Sequence, residues 1–139
     1  MTFKLEIERH YPHPIARVWE GLSNDAALTD WLMDTVNFKA SAGHRFEMNC
    51  VDDSGKLDVY RCEVLEVDPP HRMVWSWALA GDEDVELTEV EFRLRSVDTG
   101  TVVTLTHSGG RDERTIDHFR RGWPGKLDRL AEALAADAR

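Results

Sequence analysis

Ile116-Asp117-His118-Phe119-Arg120-Arg121-Gly122-Trp123-Pro124-Gly125-Lys126-Leu127-Asp128-Arg129-Leu130-Ala131-Glu132-Ala133-Leu134 is the stretch on which the fold turns. Ile116, Phe119, Trp123, Leu127, Leu130 and Leu134 recur every three or four residues, so a helix would gather them into one apolar stripe about five turns long. Arg120, Lys126, Asp128, Arg129 and Glu132 fall on the other face. Pro124, between Gly122 and Gly125, removes one helical hydrogen bond, and a bend is expected near Trp123-Pro124. A stripe of this length needs an apolar surface to cover it.

The preceding residues supply one as strands. Phe46, Met48 and Cys50 alternate with Glu47 and Asn49, and the next run extends from about Val59 to Val67. Pro69-Pro70 ends it, since proline cannot continue a paired ladder. Met73, Trp75 and Trp77 then share one face. Val90, Phe92 and Leu94 alternate with charged neighbours, and Val103, Leu105 and His107 share a face of the last strand. Val36 and Phe38 mark a short strand ahead of these. Turns are expected at Asp52-Asp53-Ser54-Gly55, Ala80-Gly81-Asp82 and Asp98-Thr99-Gly100.

Nearer the start, Phe3, Leu5 and Ile7 alternate with Lys4, Glu6 and Glu8 as a half-buried strand. Ile15, Val18, Trp19 and Leu22 then follow helical spacing. Ser23 or Asn24 can cap a second short helix carrying Leu28, Trp31 and Leu32. The order is one strand, two short helices, about six strands and one long helix. Short turns between strands make the sheet antiparallel, and grouped helices make the class α+β. A sheet of six to seven strands curls, and the long helix should lie across its concave face.

The chain has 139 residues, enough for one domain spanning 1–139 with a real core. Its formal net charge of -9 disfavours a phosphate backbone or an anionic lipid surface. Arg111, Arg114, Arg120 and Arg121 cluster, but Asp112, Glu113 and Asp117 are interleaved with them, as on a solvated helix face. No apolar run approaches the roughly 18 residues of a membrane span. The N-terminal residues read as a strand rather than a signal peptide, so the expected compartment is the cytoplasm, with Cys50 and Cys62 reduced.

Several phrases in this order resemble the START-like (SRPBCC, Bet v-allergen-like) helix-grip proteins. Their bacterial branch related to the activator of the ninety-kilodalton heat-shock chaperone's ATPase is the nearest in pattern. The phrases are Pro14-Ile15-Ala16-Arg17-Val18-Trp19, Leu28 to Trp31-Leu32, and Val64-Leu65-Glu66-Val67-Asp68-Pro69-Pro70-His71-Arg72-Met73-Val74-Trp75. Gly100-Thr101, His107-Ser108-Gly109 and Gly122-Trp123 with Leu127 and Leu130 complete them. The resemblance implies a cavity between helix and sheet. Members bind lipids, polyketides, hormones or other apolar ligands, and some are cyclases or aromatases. The eukaryotic chaperone activators carry an additional N-terminal domain for which 139 residues leave no room.

Five tryptophans stand out, and Trp31, Trp75, Trp77 and Trp123 are candidates for the wall of such a cavity. Phe46, Met48, Phe92 and Phe119 complete its apolar lining, unless all of these simply fill a dry core. Methionines at 48 and 73 would make the wall adaptable. His107, inward-facing by alternation, could orient a ligand carbonyl or be a satisfied core histidine. No metal-ligand spacing, phosphate loop or G-x-S-x-G elbow occurs. A Ser-His-Asp set drawn from Ser76 or Ser108 with His107 has no motif behind it. The expected occupant is therefore a small apolar molecule, lipid-like or aromatic, with no cofactor, metal or catalytic residue assigned. The alternatives are a cyclase, aromatase or hydrolase using the same cavity, and an interaction module contacting a chaperone or a second copy of the chain.

Overall fold

The computed structural model describes residues 4–51, 54–79, 87–110 and 113–137. The expected turns at Asp52-Asp53 and Ala80-Gly81-Asp82, and Phe3, Arg111 and Asp112, lie outside these residues. The elements are β1 (Lys4–Tyr11), α1 (Ile15–Leu22), α2 (Asp25–Trp31), β2 (Asp34–Val36), β3 (Arg45–Val51), β4 (Leu57–Asp68), β5 (Arg72–Leu79), β6 (Thr88–Val97), β7 (Gly100–Gly109) and α3 (Glu113–Asp137). One seven-stranded antiparallel sheet runs in the order β1-β7-β6-β5-β4-β3-β2. The class is α+β, with the long helix gripped by the sheet.

Two local features shape the sheet. Val64 pairs with Trp75 but Glu66 with Val74, so Leu65 is an extra residue that bulges and bends β4. At the β6–β7 hairpin Gly100 has φ 143°, and a Cβ there would collide with the carbonyl oxygen of Tyr11. Only glycine lets this hairpin close onto the end of β1. Thr101 Oγ1 fastens the same corner by donating to the His13 carbonyl at 2.8 Å.

The short strand β2 differs from the reading of Val36 and Phe38 as a pair on one strand. Asn37 adopts φ 64°, a left-handed conformation that asparagine tolerates and that ends the ladder. Phe38 then turns into the core, its backbone N–H donating to Asp25 Oδ1 at 2.6 Å. Of the two possible caps for α2, Asn24 is used, accepting from the Ala27 N–H at 2.8 Å.

Helix α3 runs without interruption through Pro124. Ile116, Trp123, Leu127, Leu130 and Leu134 are buried along it, and Phe119 is half-buried. Burial of each such aliphatic side chain stabilises the fold by about 1.5–3 kcal/mol, so the stripe dominates the docking of α3. Gly21 on α1 permits close approach, since a Cβ there would lie 3.3 Å from Leu130 Cδ1. Two polar ties join α3 to β1: Tyr11 Oη donates to the Leu127 carbonyl at 3.0 Å, and Arg9 pairs with Asp128 at 2.6 Å.

Candidate functional site

The inner face of the sheet meets the middle of α3 through a polar relay. His107, inward on β7, is fully buried. Trp123 Nε1 donates to His107 Nδ1 at 3.0 Å. An indole nitrogen can only donate, so Nδ1 is the acceptor and Nε2 carries the ring proton. Nε2 faces Thr88 Oγ1 at 2.9 Å, and that hydroxyl donates to the Trp77 carbonyl at 3.0 Å. Donors and acceptors alternate from helix to sheet, satisfying both imidazole nitrogens. Burial disfavours the imidazolium and pushes the His107 pKa down to about 3. The ring also stacks on Phe119, centroids 3.9 Å apart.

Next to this relay the packing opens into a cavity of about 150 Å³ under the N-terminal half of α3. Trp77 of β5, Tyr60 of β4 and Cys50 of β3 form its sheet side, and Met33 closes one end. His118, Phe119, Gly122, Trp123 and Lys126 form its helix side. Tyr60 and Cys50 face inward because they share the alternation of Cys62 and of Phe46 and Met48. Trp77 anchors the aromatic wall, with ring centroids 5.3 Å from Tyr60, 5.8 Å from Phe119 and 5.8 Å from Trp123.

Among the described residues, two polar groups in this wall lack partners. Trp77 is buried, and its Nε1–H makes no hydrogen bond to a described residue. Tyr60 makes none among the described residues; burial, with Asp58, Cys50 and Cys62 nearby, pushes its phenol up to about 12. Lys126 was expected on the solvent face of the helix, and the structure corrects this. Phe119, Trp123 and Lys126 are separated by four and three residues, so the lysine stem continues the apolar stripe and lies half-buried at the cavity. Burial lowers its pKa below the ordinary lysine value, as does Arg129, while Cys50 acts in the opposite direction.

Of the nine residues expected to line a ligand cavity, Trp77, Phe119 and Trp123 do so. His107 lies behind them, joined to Trp123 and Thr88. Trp31 is buried with its Nε1 donating to the Gly21 carbonyl at 2.8 Å. Phe46, Trp75 and Phe92 form a packed cluster, with Trp75 5.2 Å from Phe46 and 5.0 Å from Phe92, and Met48 is fully buried. These last five do not border the cavity. Trp75 Nε1 is also without a partner among the described residues.

Sequence reasoning missed Met33, Cys50, Tyr60, His118, Gly122 and Lys126 as wall residues, and Thr88 as the partner of His107. The β4 alternation of Tyr60 with Cys62 and Val64, and the helical spacing of Lys126 from Phe119, were usable signals. Among the described residues no group of three or more His, Cys, Asp or Glu is placed to hold a metal ion. No described helix is long and apolar enough to cross a membrane. On the other face of the sheet, an open groove of about 450 Å³ is walled by Arg45, Glu47, Arg61 and Glu63. These are paired with each other across β3 and β4, Arg45–Glu63 at 3.3 Å and Arg61–Glu47 at 3.6 Å.

A curled antiparallel sheet closed by a long C-terminal helix, with two short helices after the first strand, defines the START-like (SRPBCC) class. The chain belongs to the family described as Activator of Hsp90 ATPase homolog 1-like protein, whose model matches residues 12–135. A crystal structure of a Mesorhizobium loti protein is 30% identical with a TM-score of 0.86, covering 96% of this chain and 98% of that one. A Chromobacterium violaceum protein has the same fold at 19% identity and a TM-score of 0.86, covering 94% and 96% of the two chains. The fold also recurs in a protein of the dynemicin biosynthetic locus, at 22% identity and a TM-score of 0.81, covering 95% of this chain and 47% of that one. No curated protein sequence matches the chain.

Proposed function

We propose that the chain binds a small apolar molecule in the cavity between α3 and the inner face of the sheet. The observation that carries this reading is the cavity of about 150 Å³, walled mainly by Met33, Tyr60, Trp77, Phe119 and Trp123. A well-packed core leaves few voids larger than a water molecule. A space of this size suits a molecule on the order of one aromatic ring. A larger ligand would require the N-terminal half of α3 to lift.

The cyclase, aromatase or hydrolase reading depends on a free acid–base group, and His107 does not provide one. Both its nitrogens are engaged, burial keeps it neutral, and it does not border the cavity. The relay therefore supports a role in holding the helix to the sheet. Occurrence of the fold in a dynemicin-locus protein is compatible with small-molecule handling and supports no particular substrate.

Native mass spectrometry and a thermal-shift series with monocyclic aromatics and short lipids test the proposal. Adducts and a raised Tm are expected for ring-sized compounds. The control is Gly122→Trp, which places an indole at a helix position bordering the cavity, where nothing lies within 4 Å of an added Cβ. If no apolar compound raises Tm, or if Gly122→Trp leaves ligand binding unchanged, the reading is wrong.

A further inference from the structure

The cavity reading above fixes size and apolarity, and the wall chemistry extends it to the ligand's head group. Among the described residues, the polar side chains on the wall are those of Lys126, Tyr60, Trp77, Cys50 and His118. No carboxylate or amide side chain stands among them. An ammonium and an indole N–H can only donate, and a phenol donates readily. Among the described residues, Lys126 forms no ion pair or hydrogen bond, and Tyr60 Oη and Trp77 Nε1 have no hydrogen-bond partner. All three side chains border the same space of about 150 Å³.

Lys126 is half-buried at the edge of the cavity, and an anion bound there would gain a charge-assisted contact with its ammonium. The rest of the molecule does not attract anions, since the chain carries a net charge of -9. Attraction therefore has to be local. Asp58, opposite Cys50 in the β3–β4 register, is an opposing charge on the same sheet face. It is engaged by Lys56 at 3.9 Å.

We propose that the ligand is a ring-sized carboxylate, held by Lys126 and Tyr60 with Trp77 Nε1 as a third donor, its apolar body lying against Phe119 and Trp123. The geometry combines an aromatic slot with donors and no acceptor other than the hydroxyl, thiol and rim imidazole. That combination selects against amines as well as against ligands without an acceptor. A charge-assisted contact desolvated in this way improves affinity about tenfold to a hundredfold.

The test is an NMR titration of the intact chain with benzoate, toluene and benzylamine as isosteric probes, followed through the Trp77 and Trp123 indole signals. Benzoate should bind at least about tenfold more tightly than toluene, and benzylamine no more tightly than toluene. Lys126→Met should remove the benzoate advantage while toluene binding persists, and Tyr60→Phe should reduce it. Since Tyr60 and Lys126 lie on different elements, one variant remains informative if the other fails to fold. Equal affinity for benzoate and toluene, or an advantage that survives in every folded variant, overturns the carboxylate assignment and leaves the apolar cavity standing. If none of the three probes binds, both readings fail together.

Discussion

His107 turns inward on β7, and both its ring nitrogens are engaged in the fold. Alternation with Val103 and Leu105 was enough to turn it inward. Its partners were not legible, because Thr88 and Trp123 come from a neighbouring strand and from the helix, and their meeting depends on register and docking. The relay has a measurable pH signature. In the fold the imidazole resists protonation down to about 3, whereas its ordinary value is 6.5. Below 6.5 the unfolded chain takes up a proton that the fold refuses, so stability is fully present above that pH and is lost as pH falls towards 3. The slope reaches about 1.4 kcal/mol per pH unit for this one group. Urea denaturation of wild type and His107→Gln between pH 7 and pH 4.5 should show the wild type losing stability more steeply. Parallel pH profiles would mean that the buried histidine is not neutral in the fold. At pH 7, His107→Leu should cost about 1–3 kcal/mol by leaving the Trp123 N–H unpaired, read as a lower urea midpoint.

At the level of elements, the strands and helices were legible because their apolar periods are clean, whereas their ends depended on backbone chemistry. Asn37 illustrates this: its left-handed conformation, invisible in an alternation count, stops β2 and sends Phe38 inward. The stripe of α3 is legible from its spacing, whereas charge alone puts Lys126 on the solvent face although its spacing places it beside Trp123. Two substitutions probe how α3 is held. Tyr11→Phe removes the buried bond to the Leu127 carbonyl and should cost about 1 kcal/mol in chemical denaturation. Gly125→Ala meets no atom within 4 Å and should stabilise the helix by about 0.5–1 kcal/mol. If the glycines around Pro124 let the N-terminal half of α3 lift, the same variant should slow ligand exchange in stopped-flow measurements while leaving Kd nearly unchanged.

Over the whole molecule, the sequence defined a container more readily than its contents. Most of the expected lining residues are fully packed, and only Trp77, Phe119 and Trp123 among them border the cavity under the N-terminal half of α3. Which aromatic side chains meet depends on strand register and bending, which a single-strand alternation count does not contain; the extra residue Leu65 shifts the β4–β5 register by one. A ligand that binds only the folded chain stabilises it by mass action. At a hundredfold excess over Kd the gain is about 2.7 kcal/mol, and it should appear as a concentration-dependent rise in Tm. A Tm independent of ligand concentration would mean that the probe also binds the unfolded chain or does not bind at all.

The Trp123–His107–Thr88 relay also carries a hereditary consequence. Each member uses a hydrogen-bonding capacity that the next supplies, in a site closed to water. Replacing one alone strands a polar group, whereas replacing all three by apolar residues of matching shape can be nearly neutral. Descendants of this chain should therefore exchange positions 88, 107 and 123 as a set. Intermediates in which only one has drifted should be rare and less stable.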